Sequence, residues 1–201
     1  MRLSFYPICF FLLLSITGVS QIFCKKKKVH LNLENSYLEA QVCVSKKRIQ
    51  PKSDKFYSWF QSGKIQQTQG GFEGQLLHGN FTEYYTNRQL KLKGCYCMGL
   101  PAGNWVSWFD NGKMQDMYHM KKGTKTGKYT SWDSSGNMVL HANYVNGKLN
   151  GKMSSYENGK LLSEKYFCDG IEIQCPDSAL KQSQSRRFNP FHSWKKNRKT
   201  S

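Results

Sequence analysis

Apolar and polar positions recur along this chain with a period of 24 residues. Each unit reads Gly-x-aromatic-x-x-aromatic, then a polar turn, then Leu or Met followed by an aromatic residue or Met. Gly79, Gly103, Gly127 and Gly151, here called the ladder glycines, begin four such units, and Gly170 closes the series after a shorter step. A fixed period of this length indicates a repeat architecture.

Each unit has the pattern of a β-hairpin. The first run is rich in Trp, Tyr and Phe, which fit a pleated surface, and it ends in a turn such as Asp110-Asn111-Gly112-Lys113. The second run, for example 138–144, leads through a second Asn-Gly turn to the next unit. Short links favour antiparallel pairing of consecutive strands. We therefore predict an all-β fold, an elongated antiparallel β-meander of about five hairpins and about ten strands over residues 54–176, with a degenerate first copy from Asp54.

The aromatic residues of the first run supply the candidate contact surface. Pairs such as Trp105 and Trp108 are three residues apart, so a regular strand directs them to opposite faces. One interpretation is that these rings stack on the next copy and form a thin core, and the other is a partner-binding aromatic face with the turn lysines Lys113 and Lys148 as its rim. The candidate contact residues are Tyr84, Trp105, Trp108, Tyr129 and Trp132.

The segments GNWVSWFDNGKM from Gly103 and GKYTSWDSSGNM from Gly127 resemble the MORN repeat family, in particular its bacterial variant, often labelled a YwqK-type antitoxin repeat. The resemblance covers roughly 117 of the 201 residues and implies a fold rather than a single function. Members of the family include membrane-associated scaffolds, lipid-linked proteins and proteins named antitoxins, and no catalytic residue carries over. One copy departs from the pattern, with Arg88 in place of the turn glycine and Cys95 and Cys97 in its second strand.

The first 20 residues have the form of a signal peptide, with an apolar run after Arg2 and small residues before a cut at Gln21. Residues 3–24 are also about long enough for a membrane anchor, and Cys24 offers a third, lipoprotein interpretation. We expect export to the periplasm, cell envelope or extracellular space, or alternatively anchoring in the membrane.

The net charge of +17 is concentrated outside the repeats, because residues 56–176 carry only +4. A basic segment covers residues 21–53, and residues 177–201 form a basic tail that is expected to be disordered alone. This charge suits an anionic membrane surface or a glycan, whereas nucleic acid and a small-molecule substrate are not indicated. The tail residues with this role are Arg186, Arg187, Lys195, Lys196, Arg198 and Lys199.

Outside the apolar leader the chain has six cysteines, an even number that suits an oxidising compartment. A disulfide between Cys168 and Cys175 would tie down the last strand, and Cys24 with Cys43 could hold the segment before the repeats. The histidines do not cluster, so we expect no metal and no cofactor.

These patterns favour a non-enzymatic repeat protein of the cell envelope that binds a protein, glycan or lipid partner as a module or scaffold. The alternative is a YwqK-type antitoxin-like protein that neutralises a partner toxin. An enzyme is not expected, because no set of convergent polar residues stands out.

Overall fold

The computed structural model describes residues 24–44 and 49–174, and every regular element within them is a β-strand. The strands are β1 (Lys26–Asn32), β2 (Ser36–Cys43), β3 (Phe56–Gln61), β4 (Lys64–Gln69), β5 (Gln75–Tyr85), β6 (Leu90–Cys97), β7 (Leu100–Trp108), β8 (Met114–Lys121), β9 (Thr124–Trp132), β10 (Met138–Val145), β11 (Lys148–Leu149), β12 (Gly151–Glu157), β13 (Lys160–Cys168) and β14 (Ile171–Ile173). Within the described ranges no helix is long and apolar enough to cross a bilayer.

The predicted antiparallel meander is confirmed. From β5 to β14 each strand lies beside the next one in the chain except for the short β11, which among the described strands pairs only with β10. Five of the links are tight turns in which two successive residues have positive φ, as in Asn146-Gly147 and Asn158-Gly159, whereas the turns β5–β6, β7–β8 and β9–β10 have one such residue each. Such turns match the twist of paired strands, and asparagine and glycine adopt them at low cost.

The ladder glycines mark a change of register between neighbouring copies. Lys93 pairs with Val106, but the next pair is Cys95 with Ala102, so β7 gains two residues around Gly103. Gly103 has a φ of 70°, a conformation that glycine adopts without a steric penalty. The same two-residue shift occurs beside each of the other ladder glycines. The 24-residue period therefore follows from one irregular, glycine-dependent step in every copy.

Gly170 is not a ladder glycine, although the sequence pattern placed it at the end of that series. It lies in the tight turn Asp169-Gly170 between β13 and β14, where both residues have positive φ. Its counterpart one copy earlier is Gly147 in the turn after β10, not Gly151.

The sheet also contains strands that the repeat pattern did not predict. The basic segment before the repeats forms the hairpin β1–β2, whose Val29, Leu38, Ala40 and Val42 alternate along the strands and belong to the main core. A disulfide between Cys24 and Cys43 closes the open end of this hairpin. The fourteen strands exceed the expected ten mainly because of this hairpin and the short β11 and β14.

The degenerate first copy leaves the meander. Its strands β3 and β4 form a hairpin, but β4 pairs with no strand other than β3 within the described residues. The edge of β5 is largely occupied by β2, so β3 pairs with β5 only through Trp59–Leu76 and Phe60–Gln75. The hairpin turns instead toward the β6–β7 link, where the Ser58 amide donates to the Gly99 carbonyl oxygen at 2.8 Å.

Candidate functional site

A second irregularity, a bulge of one residue, lies in the second strand of each of the hairpins β5–β6, β7–β8, β9–β10 and β12–β13. Ser107 pairs with Asp116 and Trp108 with Met114, so Gln115 is an extra residue in β8. Val139 is the extra residue of β10 in the next copy. The bulges lie in the second strand and leave the first strand regular, so aromatic residues three apart in that strand lie on opposite faces.

The five candidate aromatic residues are therefore split between the two faces of the sheet. The Trp105 face carries Trp105 and Tyr129, which are linked by cross-strand pairing through Tyr118. The opposite face, named the Trp108 face, carries the remaining three: Tyr84, Trp108 and Trp132. The expectation of one surface formed by all five rings is not met, because a contact on one face cannot include the other set.

Trp105 is a core residue, which corrects its assignment to a partner-binding surface. Its side chain is only 4% exposed. The ring lies over Gly94 and packs against Phe81 and Tyr96, with ring centroids 5.8 and 5.2 Å away. Among the described residues its buried Nε1–H has no hydrogen-bond acceptor. The thin-core interpretation is therefore correct at this position.

Tyr129 belongs to a cluster around a lysine on the same face. The Lys125 ammonium group lies 4.6, 4.4 and 5.0 Å from the ring centroids of Tyr118, Tyr129 and Tyr144. Burial lowers the pKa of Lys125, while the Asp116 charge opposes that shift. The lysine thus fills the space between three rings, where cation–π attraction stabilises it.

Asp116 binds the same cluster from β8. It accepts hydrogen bonds from the Tyr129 hydroxyl at 2.6 Å and from the Ser107 hydroxyl at 3.1 Å. Burial and this bond to Asp116 raise the pKa of Tyr129 to about 12. Tyr129 is consequently held by internal contacts on several sides.

The Trp108 face has a surface of different character at the hairpin-turn end of the strands. Met114 and Met117 are 42% and 43% exposed there, and the two tryptophans beside them are half-buried. Met117 pairs with Val106 and Thr130, so it lies between the strands that carry the two tryptophans. We name this surface the Trp–Met patch, and it comprises Trp108, Met114, Met117, Trp132 and Met138. The recurrence of Met114 and Met138 after 24 residues is the sequence signal that points to the methionines.

Tyr84 lies farther along the Trp108 face and is stacked on Tyr37 of the first hairpin, with centroids 4.7 Å apart and planes at 10°. Burial, followed by the nearby Glu39 charge and Tyr37, raises its pKa. Its ring is thus occupied by a neighbour within the chain.

The two rim lysines differ in their contacts. The Lys113 ammonium group donates to the Ser135 carbonyl oxygen at 2.7 Å and so braces one hairpin turn against the next. Asn111 makes a parallel contact to the Ser134 carbonyl oxygen at 2.8 Å. Lys148 is exposed at the start of β11.

The remaining cysteines of the described ranges have separate environments. Cys95 donates its thiol hydrogen to the Ala102 carbonyl oxygen at 2.7 Å, and burial raises its pKa. Cys97 and Cys168 are exposed. Cys175 lies outside the described residues, as does the whole basic tail, so the Cys168–Cys175 disulfide and the role of the tail remain predictions. No group of three or more His, Cys, Asp and Glu side chains in the described residues could hold a metal ion.

Comparison with protein families agrees with this geometry. The family model described as a MORN repeat variant matches residues 125–146 and 149–169, which cover nearly all of the hairpin β9–β10 and the whole of the hairpin β12–β13. These hairpins are MORN-like repeats. No curated protein matches the chain. MORN-like repeats support a repeat-based binding or scaffold module as the class of function, whereas the finer YwqK-type and antitoxin interpretations remain predictions.

Proposed function

We propose that this chain is a non-enzymatic binding module that works outside the cytoplasm, and that the Trp–Met patch is its contact surface for a protein partner. The observation that carries this proposal is the exposure of Met114 and Met117 beside two half-buried tryptophans on one face. Aromatic residues and methionine are enriched in the buried centres of protein interfaces, and methionine adapts its shape to different partners.

The opposite face supports this choice by being engaged within the chain. Trp105 is buried, and Tyr129 contacts Asp116 and Lys125. A partner that bound the Trp105 face would have to break these internal contacts, which would destabilise the fold. A partner can cover the Trp–Met patch without breaking any of these contacts. The Trp108 face is therefore the better candidate for a reversible contact.

The disulfide between Cys24 and Cys43 supports a location outside the cytoplasm. Disulfides persist in oxidising compartments, and the apolar leader of the sequence agrees with export. A lipid on Cys24 would need the same sulfur atom, so this bond favours a cleaved signal or an uncleaved anchor over a lipoprotein. Sequencing of the mature N-terminus tests this part, and we expect it to begin at Gln21.

A photo-crosslinking amino acid at Met117 tests the contact surface in the native cell. We expect a protein adduct of one defined mass, and we expect at least a tenfold loss of it after Trp108→Ala with Trp132→Ala, because interface aromatic residues often contribute about 2 kcal/mol or more. The matched control position is Val145, which is 40% exposed and lies outside the patch. Equal adducts from both positions, or none from Met117, would contradict the proposal.

A further inference from the structure

The departure of the first copy from the meander creates a cavity that the repeats alone would not form. It has a volume of about 670 Å³ and lies between the start of that copy and the ends of β6, β7 and β8. Lys55 spans the two sides, because its ammonium group donates to the Thr124 hydroxyl oxygen at 2.8 Å. Cavities of this volume accommodate small organic molecules.

The lining combines positive charge with apolar surface. Four lysines contribute to it, namely Lys52, Lys55, Lys121 and Lys122, and none of the described aspartate or glutamate residues does. Among the described residues the only acidic contact of these lysines is an ion pair between Lys55 and the exposed Asp54, at 3.6 Å. Apolar surface comes from Tyr57, Leu100 and Ala102. The lining therefore complements a molecule with an anionic group on an apolar body.

The repeat does not require lysine at the position of Lys122. Lys122 has a φ of 51° in the β8–β9 turn, a conformation that disfavours lysine. The next copy has Asn146 at the equivalent position, with a φ of 49°, and Val145 in place of Lys121. The equivalent residues of the other copies are Met98 and Asp169, with φ of 50° and 49°, so the turn requires no particular residue type and the lysine pair is specific to the copy that lines the cavity.

We propose that this cavity binds a small amphiphilic anion, a phosphate, sulfate or carboxylate group on an apolar body, with Lys121 and Lys122 holding the anionic group. The cavity lies at the link end of the strands, whereas the Trp–Met patch lies at the turn end, so this inference is independent of the proposed protein contact. Soluble metabolites and single lipid molecules share this chemistry.

Calorimetric titration of the full chain with octyl phosphate tests the proposal, with inorganic phosphate and octanol as the two halves of the probe. We expect octyl phosphate to bind at least tenfold more tightly than either half. The double variant Lys121→Ser with Lys122→Asn should weaken binding by about tenfold per lysine removed, since hydrogen bonds to charged groups are the stronger ones. Because asparagine suits the turn, this variant should melt no lower than the parent, which separates lost binding from lost folding.

A charge-matched control removes two lysines outside the cavity, Lys128→Ser with Lys148→Ser, and should leave octyl phosphate binding within about twofold, as long-range charge effects are screened. Vesicles containing phosphatidylglycerol distinguish a soluble ligand from a lipid. If the protein binds octyl phosphate but both double variants lose vesicle binding equally, the ligand is soluble. If the cavity variant alone loses vesicle binding, the ligand is a lipid. The proposal is wrong if octyl phosphate does not bind, or if both variants weaken it equally.

Discussion

One added methyl group at Gly94 tests whether Trp105 supports the core. Gly94 pairs with Phe81, and a Cβ atom at Gly94 would overlap three atoms of the fused Trp105 ring. A rigid ring cannot bend away, and Gly94 has no positive φ that would add backbone strain. Overpacking of a core costs about 1–3 kcal/mol, so we expect Gly94→Ala to lower the free energy of unfolding by about 2–3 kcal/mol.

The second substitution of a double-mutant cycle, Trp105→Ala, removes the ring that Gly94→Ala would overlap. Replacement of a buried tryptophan by alanine costs about 3–5 kcal/mol. We expect a value near the lower limit for Trp105→Ala, about 3 kcal/mol, because the substitution also removes a buried Nε1–H without a described acceptor. In the double variant the new methyl group enters the vacated space, so the two costs should fall short of additivity by about 2 kcal/mol.

Urea denaturation of the purified chain, with the Cys24–Cys43 disulfide intact, measures all four corners of the cycle. The slope of the unfolding free energy against urea concentration must be the same for the parent and the variants, since repeat arrays can lose cooperativity. Trp108→Ala is the matched control, because Trp108 lies on the other face and its cost should add to that of Gly94→Ala within about 0.5 kcal/mol. If Gly94→Ala cost the same with and without the Trp105 ring, the packing argument would be refuted.

Three further predictions concern the turns, the disulfide and the tyrosine cluster. Arg88→Gly should raise the unfolding free energy by about 1 kcal/mol in urea, because Arg88 has a φ of 67° that glycine adopts without penalty. Loss of the disulfide in Cys24→Ala with Cys43→Ala should cost about 3 kcal/mol by the loop-entropy relation for a separation of 19 residues. The raised pKa of Tyr129 means that the folded state keeps its proton longer than the unfolded state, so this contribution to stability is complete below pH 10 and is lost as the pH rises toward about 12. Ultraviolet titration should show a lower pKa for Tyr129 in Asp116→Asn.

Each of these predictions has a distinct contrary result. Equal stability of the Arg88→Gly and Arg88→Ala variants would show that φ is not the cause. A disulfide variant as stable as the oxidised parent would show that the first hairpin does not depend on its clamp. An unchanged Tyr129 titration in Asp116→Asn would remove the hydrogen bond from the explanation of the raised pKa.

The hairpins of the repeats could be predicted because their determinants are local. A turn such as Asn146-Gly147 and an aromatic run such as that of β9 specify a hairpin within one copy. The opposite directions of Trp105 and Trp108 also follow from strand alternation, provided that the strand between them is regular. That strand is regular because the bulge, at Gln115, lies in the partner strand β8. The sequence of β7 does not reveal the position of the bulge.

The rest depends on contacts between distant segments. The run Lys25–Lys28 dominates the composition of the N-terminal segment, yet the alternation of Val29 and Leu31 after it is the signal of a strand. Pairing of β2 with β5 then displaces the first copy from the meander, a competition between two distant segments for the same edge. The lysine-lined cavity exists only because of that displacement, so no local motif could predict it.

The two-residue step at each ladder glycine determines how such a protein can change length. Two is an even number, so every side chain keeps its face across the step. A complete 24-residue copy can therefore be duplicated or deleted without exchanging inside and outside. Duplication or deletion of whole copies can therefore lengthen or shorten the sheet while the same residue types stay on each face. The spacing of the ladder glycines gives the unit in which the length can change.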